Sequence, residues 1–299
     1  RLGAAVLPGG QSRMSEAASK PFDGQFALVT GASRGIGAAI ARRFAAEGAR
    51  VALVARTSES GGPLAGSLAE TRSVIEAAGG QAHAIRADLA DPADRARIVP
   101  ETLARFGQID ILVNNAAWAR FIPIWEASPR HVELALQMNV RAPQELSQHA
   151  LPHMRKAGAG WILNISSATA DLPPPAPYDP ADRYVAFNRD GHATLYGVTK
   201  SALDRLSAGW AVELSRENIA INALAPVGAV ASAGALAVGN WDERDHLEPV
   251  EAMAEAALQL CHRPAQEISG QVVRSLALLD RLGVAVRDLD GRVVTPVSA

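Results

Sequence analysis

The chain of 299 residues carries 29 Lys+Arg against 31 Asp+Glu, a net charge of −2. That balance gives no reason to expect a nucleic acid or an anionic membrane as partner. The length suffices for one large α/β core or two smaller ones, and the single cysteine, Cys261, excludes an internal disulfide and any Cys-based metal cluster.

Residues 1 to 20 read as a disordered leader or tail, with Met14 opening the segment that reads as a start. Residues 21 to 299 read as one domain. Phe26 to Thr30 is a short apolar run ended by glycine, as in a buried parallel strand. Gly31-Ala-Ser33-Arg34-Gly35-Ile36-Gly37 follows, then a helical stripe of Ile36, Ile40 and Phe44. Strand, glycine-rich turn and helix in that order form a pyrophosphate cradle, because free N–H groups converge at the helix start.

A second strand, Val51 to Ala55, ends at Arg56, about 20 residues past the glycine loop, where a carboxylate would bind a ribose 2′-hydroxyl and an arginine a 2′-phosphate. Arg56, with Arg34 as a second cation, favours NADP over NAD; the plainer reading is a solvated strand-end arginine. A third strand near Ala82 to Ala87 leads into Asp88-Leu89, where Asp88 is a helix start signal before Pro92, an adenine contact, or both.

The fourth strand, Ile109 to Val113, runs into Asn114-Asn115-Ala116-Ala117, and an aromatic loop, Trp118 to Trp125, follows. That loop reads equally as a pocket wall or as core packing. Ser128-Pro129 starts a long helix. Pro143 lies four residues after Asn139, so the Asn139 carbonyl loses its helical partner and the helix should bend there, leaving a place for a water. His149 and His153 lack a third ligand, and no metal site is predicted.

The fifth strand, Trp161 to Ile165, closes on Ser166-Ser167. A Pro-rich, polar segment precedes the helix bearing Tyr196 and Lys200, whose predicted buried stripe is Val198, Ala202, Leu206 and Trp210. A tyrosine and a lysine four apart share a helix face, and the ammonium should lower the phenol pKa towards working pH. The sixth strand, Ile219 to Ala223, leads to Pro226-Val227. A small-residue region, 228 to 239, reads as a substrate loop, and a helix near Val250 to His262 and a strand near Gln271 to Arg274 complete a parallel sheet of about seven strands with helices on both faces.

These motifs, in this order, resemble the short-chain dehydrogenase/reductase family over residues 22 to 275. The resemblance implies a doubly wound Rossmann-type domain, and Tyr196 as general acid/base at a substrate oxygen. Lys200 would lower the tyrosine pKa and bind the nicotinamide ribose, Ser167 would orient the reacting carbonyl, and Asn139 would hold a water linking Lys200 to solvent. Its cofactor contacts would be Gly31, Ser33, Arg34, Gly35, Ile36, Gly37, Arg56, Asp88, Leu89, Asn115, Ala116, Tyr196, Lys200, Pro226 and Val227. Homo-oligomers, tetramers or dimers, come with the same resemblance, while the lone cysteine fits a reducing compartment, read as cytoplasmic.

Three departures stand out. Ala117 replaces a glycine, Val227 replaces the glycine after Pro226, and Ser167 and Tyr196 are 29 residues apart (196 − 167), well beyond the family's usual spacing. The extra residues, about 171 to 195, should emerge at the active-site mouth, or else form a loose surface loop; Asn188 to Gly191 reads as a hairpin turn. Residues 276 to 299 extend past the family's usual end and would cover a neighbouring subunit or the active site. The expected activity is NADP-dependent interconversion of a secondary alcohol and a ketone by hydride transfer. The alternatives are a nucleotide-binding sensor or scaffold with little catalysis, and an epimerase or dehydratase with bound NAD.

Overall fold

The computed structural model describes residues 20–61, 64–230 and 247–293. Seven parallel strands form one sheet in the order β3-β2-β1-β4-β5-β6-β7. The strands are β1 (Phe26–Thr30), β2 (Arg50–Ala55), β3 (Gln81–Arg86), β4 (Ile111–Asn114), β5 (Gly160–Ile165), β6 (Ile219–Ala225) and β7 (Val272–Arg274). All seven predicted strands are present, with ends shifted by one or two residues.

Because both faces are covered, the central strands are largely apolar on both faces rather than at alternate positions, Thr30, Asn114, Asn164 and Asn222 being the buried polar exceptions. Side chains of one parity (Ala27, Val29, Val51, Leu53, Ile111, Val113) pack under α1 (Gly35–Ala46), α2 (Leu68–Ala77) and the helix we number α8 (Val250–His262). Those of the other parity (Leu28, Ala52, Val54, Leu112, Ile162) pack under α3 (Pro92–Phe106), α5 (Ala142–Ala157) and α7 (Thr194–Glu213). Strand order reverses between β1 and β4, and the loops after these two strands therefore diverge to opposite sides and leave a crevice.

α3 is capped by Asp91, whose carboxylate accepts from Ala93 N at 2.9 Å. The start signal thus lies three residues after Asp88; the Asp88 carboxylate instead accepts from Ala90 N at 3.0 Å in the preceding turn. α4 (Pro129–Leu136) begins at Ser128, which forms a capping box with His131. The bend expected at Asn139 takes the form of a π-helical turn, Gln137–Arg141, before α5. Pro143 lacks an N–H, so the ladder cannot continue as i to i−4 there.

Two expectations fail on packing grounds. Asn188 to Gly191 is not a hairpin turn but the end of α6 (Arg183–Asp190), which Asp182 nucleates by accepting from Tyr184 N and Val185 N. The buried face of α7 is Gly197, Lys200, Leu203, Ser207 and Ala211, while Val198 is 56% exposed and Ala202, Leu206 and Trp210 are only half-buried. Periodicity alone placed the stripe one residue off, because the face against β5 and β6 is built from small and polar residues.

The described part of the C-terminal extension lies over its own domain, and its Leu289 lines a cavity together with Ser33 and Gly35 of the glycine turn. α9 (Ser275–Leu282) buries Leu278 and Leu279 against α8, and Asp290 pairs with Arg42 of α1 at 2.7 Å. Residues 1–19 of the predicted leader, residues 231–239 of the expected substrate loop (228 to 239), residues 240–246 and residues 294–299 lie outside the described residues.

Candidate active site

The glycine-rich turn leaves β1 with Gly31 at φ +68° and Gly35 at φ +55°, left-handed values that side chains disfavour. Close packing of the turn on itself and on the loop after β4 explains the other glycine: a Cβ on Gly37 would collide with the Gly31 carbonyl oxygen and with Asn115 Nδ2. Asn115 holds this arrangement, donating from Nδ2 to Thr30 O at 2.9 Å. Thr30 Oγ1 accepts the N–H groups of Asn115 and Ala116 at 3.0 and 3.1 Å. The sequence places Thr30 at the head of the glycine-rich motif, Thr30 to Gly37, but assigns its hydroxyl no role.

α1 starts at Gly35 with no side-chain cap, so its first N–H groups point into the crevice without a side-chain acceptor. That is the arrangement a pyrophosphate requires. Ser33 is buried and Ile36 packs on the core beside it. Arg34 is engaged elsewhere: its guanidinium donates to Ala65 O at 2.8 Å and Gly66 O at 2.7 Å, tying the loop after β2 to the glycine turn. Arg56, by contrast, is exposed at the end of β2. Asp88 and Leu89 sit at the end of β3, Leu89 buried. These residues fit a dinucleotide.

On the other side of the crevice, β5 delivers Ser167. Ser167 Oγ accepts from Thr169 N at 3.2 Å and from Thr169 Oγ1 at 3.0 Å. Segment 165–170 runs against α7: Lys200 Nζ donates to Ile165 O at 2.7 Å, and Ser201 Oγ to Ala170 O at 2.6 Å. Gly197 permits this approach, because a Cβ there would lie 2.5 Å from Thr169 O. Ser166 is buried beneath the segment.

Asn139 is buried and bound at both ends. It accepts from Trp118 N at 2.8 Å, and donates to Trp118 O at 2.8 Å and Thr199 Oγ1 at 2.9 Å. Thr199 in turn donates to the Tyr196 carbonyl at 2.8 Å. Thr199 escaped sequence reading, although it lies between the two residues of the motif. The four residues singled out, Asn139, Ser167, Tyr196 and Lys200, thus meet where the π-turn, the end of β5 and the first turns of α7 converge.

Electrostatics differ from the simplest expectation. Burial pushes the Tyr196 phenol up to about 12 and the Lys200 ammonium down to about 8. The ammonium lies 5.6 Å from the Tyr196 ring centre. Desolvation sets both shifts, with the Asp204 carboxylate drawing the Lys200 value partly back up, and the expected lowering of the phenol is not found.

Pro226 and Val227 follow β6. Val227 N donates to a buried carboxylate, Glu248 Oε2, at 2.9 Å, and Glu248 also accepts from Ser275 Oγ. Burial raises the Glu248 pKa. No sequence signal marked Glu248. Cys261 is buried in α8, where burial raises its thiol pKa, as suits a small core side chain.

A profile described as "short chain dehydrogenase" matches residues 25–178. The chain belongs to this family of oxidoreductases. It is 32% identical over 269 residues to hydroxysteroid dehydrogenase-like protein 2 of Danio rerio, an alignment covering 90% of this chain and 60% of that protein. A short-chain dehydrogenase/reductase from Serratia marcescens superposes with a TM-score of 0.71 at 31% identity, covering 85% of this chain and 97% of that one. A short chain dehydrogenase from Burkholderia cenocepacia, solved in complex with NADP, superposes with a TM-score of 0.68 at 31% identity and the same coverage.

Proposed function

We infer that the protein is an NADP-dependent oxidoreductase interconverting a secondary alcohol and a ketone. The observation that carries this reading is the convergence of Ser167, Tyr196 and Lys200 opposite an uncapped, glycine-bounded helix start. When bound, the reduced nicotinamide supplies a hydride to the carbonyl carbon. Gly31, Ser33, Gly35, Ile36, Gly37 and Ala116 would border the dinucleotide, with Asp88 and Leu89 towards its adenine end and Pro226 and Val227 towards the nicotinamide. Arg56 is the exposed cation suited to a 2′-phosphate, and family members have been solved with NADP.

Tyr196 would give a proton to the carbonyl oxygen in reduction and take it back in oxidation. Ser167 would donate a hydrogen bond to that oxygen as charge develops on it. Lys200 would favour the tyrosinate, an effect that must overcome the desolvation of both groups. Asn139, anchored on Trp118 and Thr199, would hold the loop after β4 against α7 and support the water link to Lys200.

The reading also includes a small-molecule substrate, a cytoplasmic location and a homo-oligomer. Among the described residues no helix is long and apolar enough to cross a membrane. One observation favours a sensor or scaffold instead: the Val227 N–H, at the nicotinamide end, already has a carboxylate acceptor.

The deciding experiment is Tyr196→Phe. NADPH-dependent reduction of a ketone panel should fall by about 10²- to 10⁴-fold while NADPH binding persists. Undiminished turnover in that variant would sink the assignment.

A further inference from the structure

The residues between Ser167 and Tyr196 are tied to the site at their base. Arg274, at the end of β7, pairs with Asp171 at 2.5 Å and donates to Ser167 O at 3.2 Å. Tyr184 OH donates to Asp171 O at 2.6 Å. α6 is thereby fixed at the mouth of the crevice, and one of its residues, Phe187, meets the loop after β4. The Phe187 and Phe121 ring centres are 6.2 Å apart and the rings meet edge to face. Phe121 meets Tyr196 in the same way, at 5.9 Å. An unbroken aromatic path therefore leads from the insertion to the candidate acid/base.

The surroundings are apolar as well. Loop 118–125 carries a single charge, Arg120, which is exposed and lies 3.2 Å from His131 Nε2. Trp125, Leu172 and Tyr178, from the loop and the insertion, are exposed by 78%, 87% and 61%. The Phe121 and Phe187 rings offer a polyhydroxylated substrate no hydrogen bond to replace those it makes with water.

We propose that Phe121, backed by Phe187, forms an apolar wall beside Tyr196 that selects substrates carrying an aromatic or alkyl group next to the reacting carbon. The proposal rests on the oxidoreductase reading given above and names its substrate class. Phe121 and Phe187 are then specificity-determining residues, and the insertion exists to supply the second of them.

The test compares acetophenone with hydroxyacetone, using NADPH and the wild type, Phe121→Ala, Phe187→Ala and Phe187→Leu, each first checked for cooperative thermal unfolding. The wild type should prefer acetophenone in kcat/KM. That preference should drop at least tenfold in both alanine variants, mainly through KM, and recover in Phe187→Leu. A wild-type preference for hydroxyacetone, or a preference unchanged in the alanine variants, overturns the proposal. If neither ketone is turned over, saturation-transfer NMR of acetophenone with the NADP-loaded protein separates the two ideas. Transfer seen in the wild type and lost in the alanine variants upholds the wall while the oxidoreductase reading fails; no transfer in the wild type overturns the wall.

Discussion

The Lys200 ammonium faces the Tyr196 ring, 5.6 Å from its centre, yet its hydrogen bond goes to the Ile165 carbonyl at 2.7 Å. The lysine therefore links α7 to the end of β5 before it does anything for the phenol. Its charge is held near the tyrosine by a backbone group.

This burial has a signature in stability. Lys200 titrates near 8 when folded, below its ordinary value of 10.5. Between those values the unfolded chain binds more protons, so stability should rise with pH from 8 upward, by up to about 3 kcal/mol from this group. Tyr196, raised from 10 to about 12, acts in the opposite sense above pH 10. Urea melts of the cofactor-free protein between pH 8 and 10 should show a rise in the wild type that Lys200→Met lacks. Equal slopes would contradict it.

Nucleotide choice should depend on Arg56 rather than Arg34. Arg34 is held by the Ala65 and Gly66 carbonyls, whereas Arg56 is exposed at the end of β2. A lost charge-assisted hydrogen bond is worth about 1.5–3 kcal/mol, so Arg56→Ala should weaken NADP binding by about 10- to 100-fold and leave NAD binding nearly unchanged. Fluorescence titration of both nucleotides decides this. Equal affinities of the wild type for NAD and NADP would reject the preference.

Arg43 is 2% exposed and pairs with Glu255, equally buried, at 3.0 Å, joining α1 to α8. Arg43→Ala leaves that carboxylate buried and unpaired and should cost about 3–5 kcal/mol. The double replacement Arg43→Met/Glu255→Leu removes both charges and should cost much less. Urea denaturation of the two variants should separate them clearly; equal losses would show that packing, not charge, dominates there.

Arg274→Ala should loosen the insertion without unfolding the domain. The arginine holds Asp171 and the Ser167 carbonyl, and losing both contacts, about 1–2 kcal/mol, should raise the open population roughly tenfold. Limited chymotrypsin digestion would report this as faster cleavage near Tyr184 and Phe187. Unaltered cleavage would mean that the insertion is held by its own helix alone.

Sequence by itself determined the sheet and the crevice at its switch point, and it singled out the four candidate residues. These depend on local signals: apolar runs of strand length, a glycine turn before a helix, a tyrosine and lysine one helical turn apart, a proline four after an asparagine. Pro143 is the clearest case, because a missing N–H must break the helical ladder wherever the helix lies. Tertiary structure alone decided the rest. Thr199, Glu248 and Arg274 carry no local mark; each matters through a partner 21 or more residues away, Asn139, Val227 and Ser167 in turn. The buried face of α7 was misread because Gly197, Lys200 and Ser207 reveal burial only once β5 and β6 are beside them. The phenol pKa was misjudged for a related reason. Spacing shows which charges are neighbours, but only packing shows how much water has been removed from them.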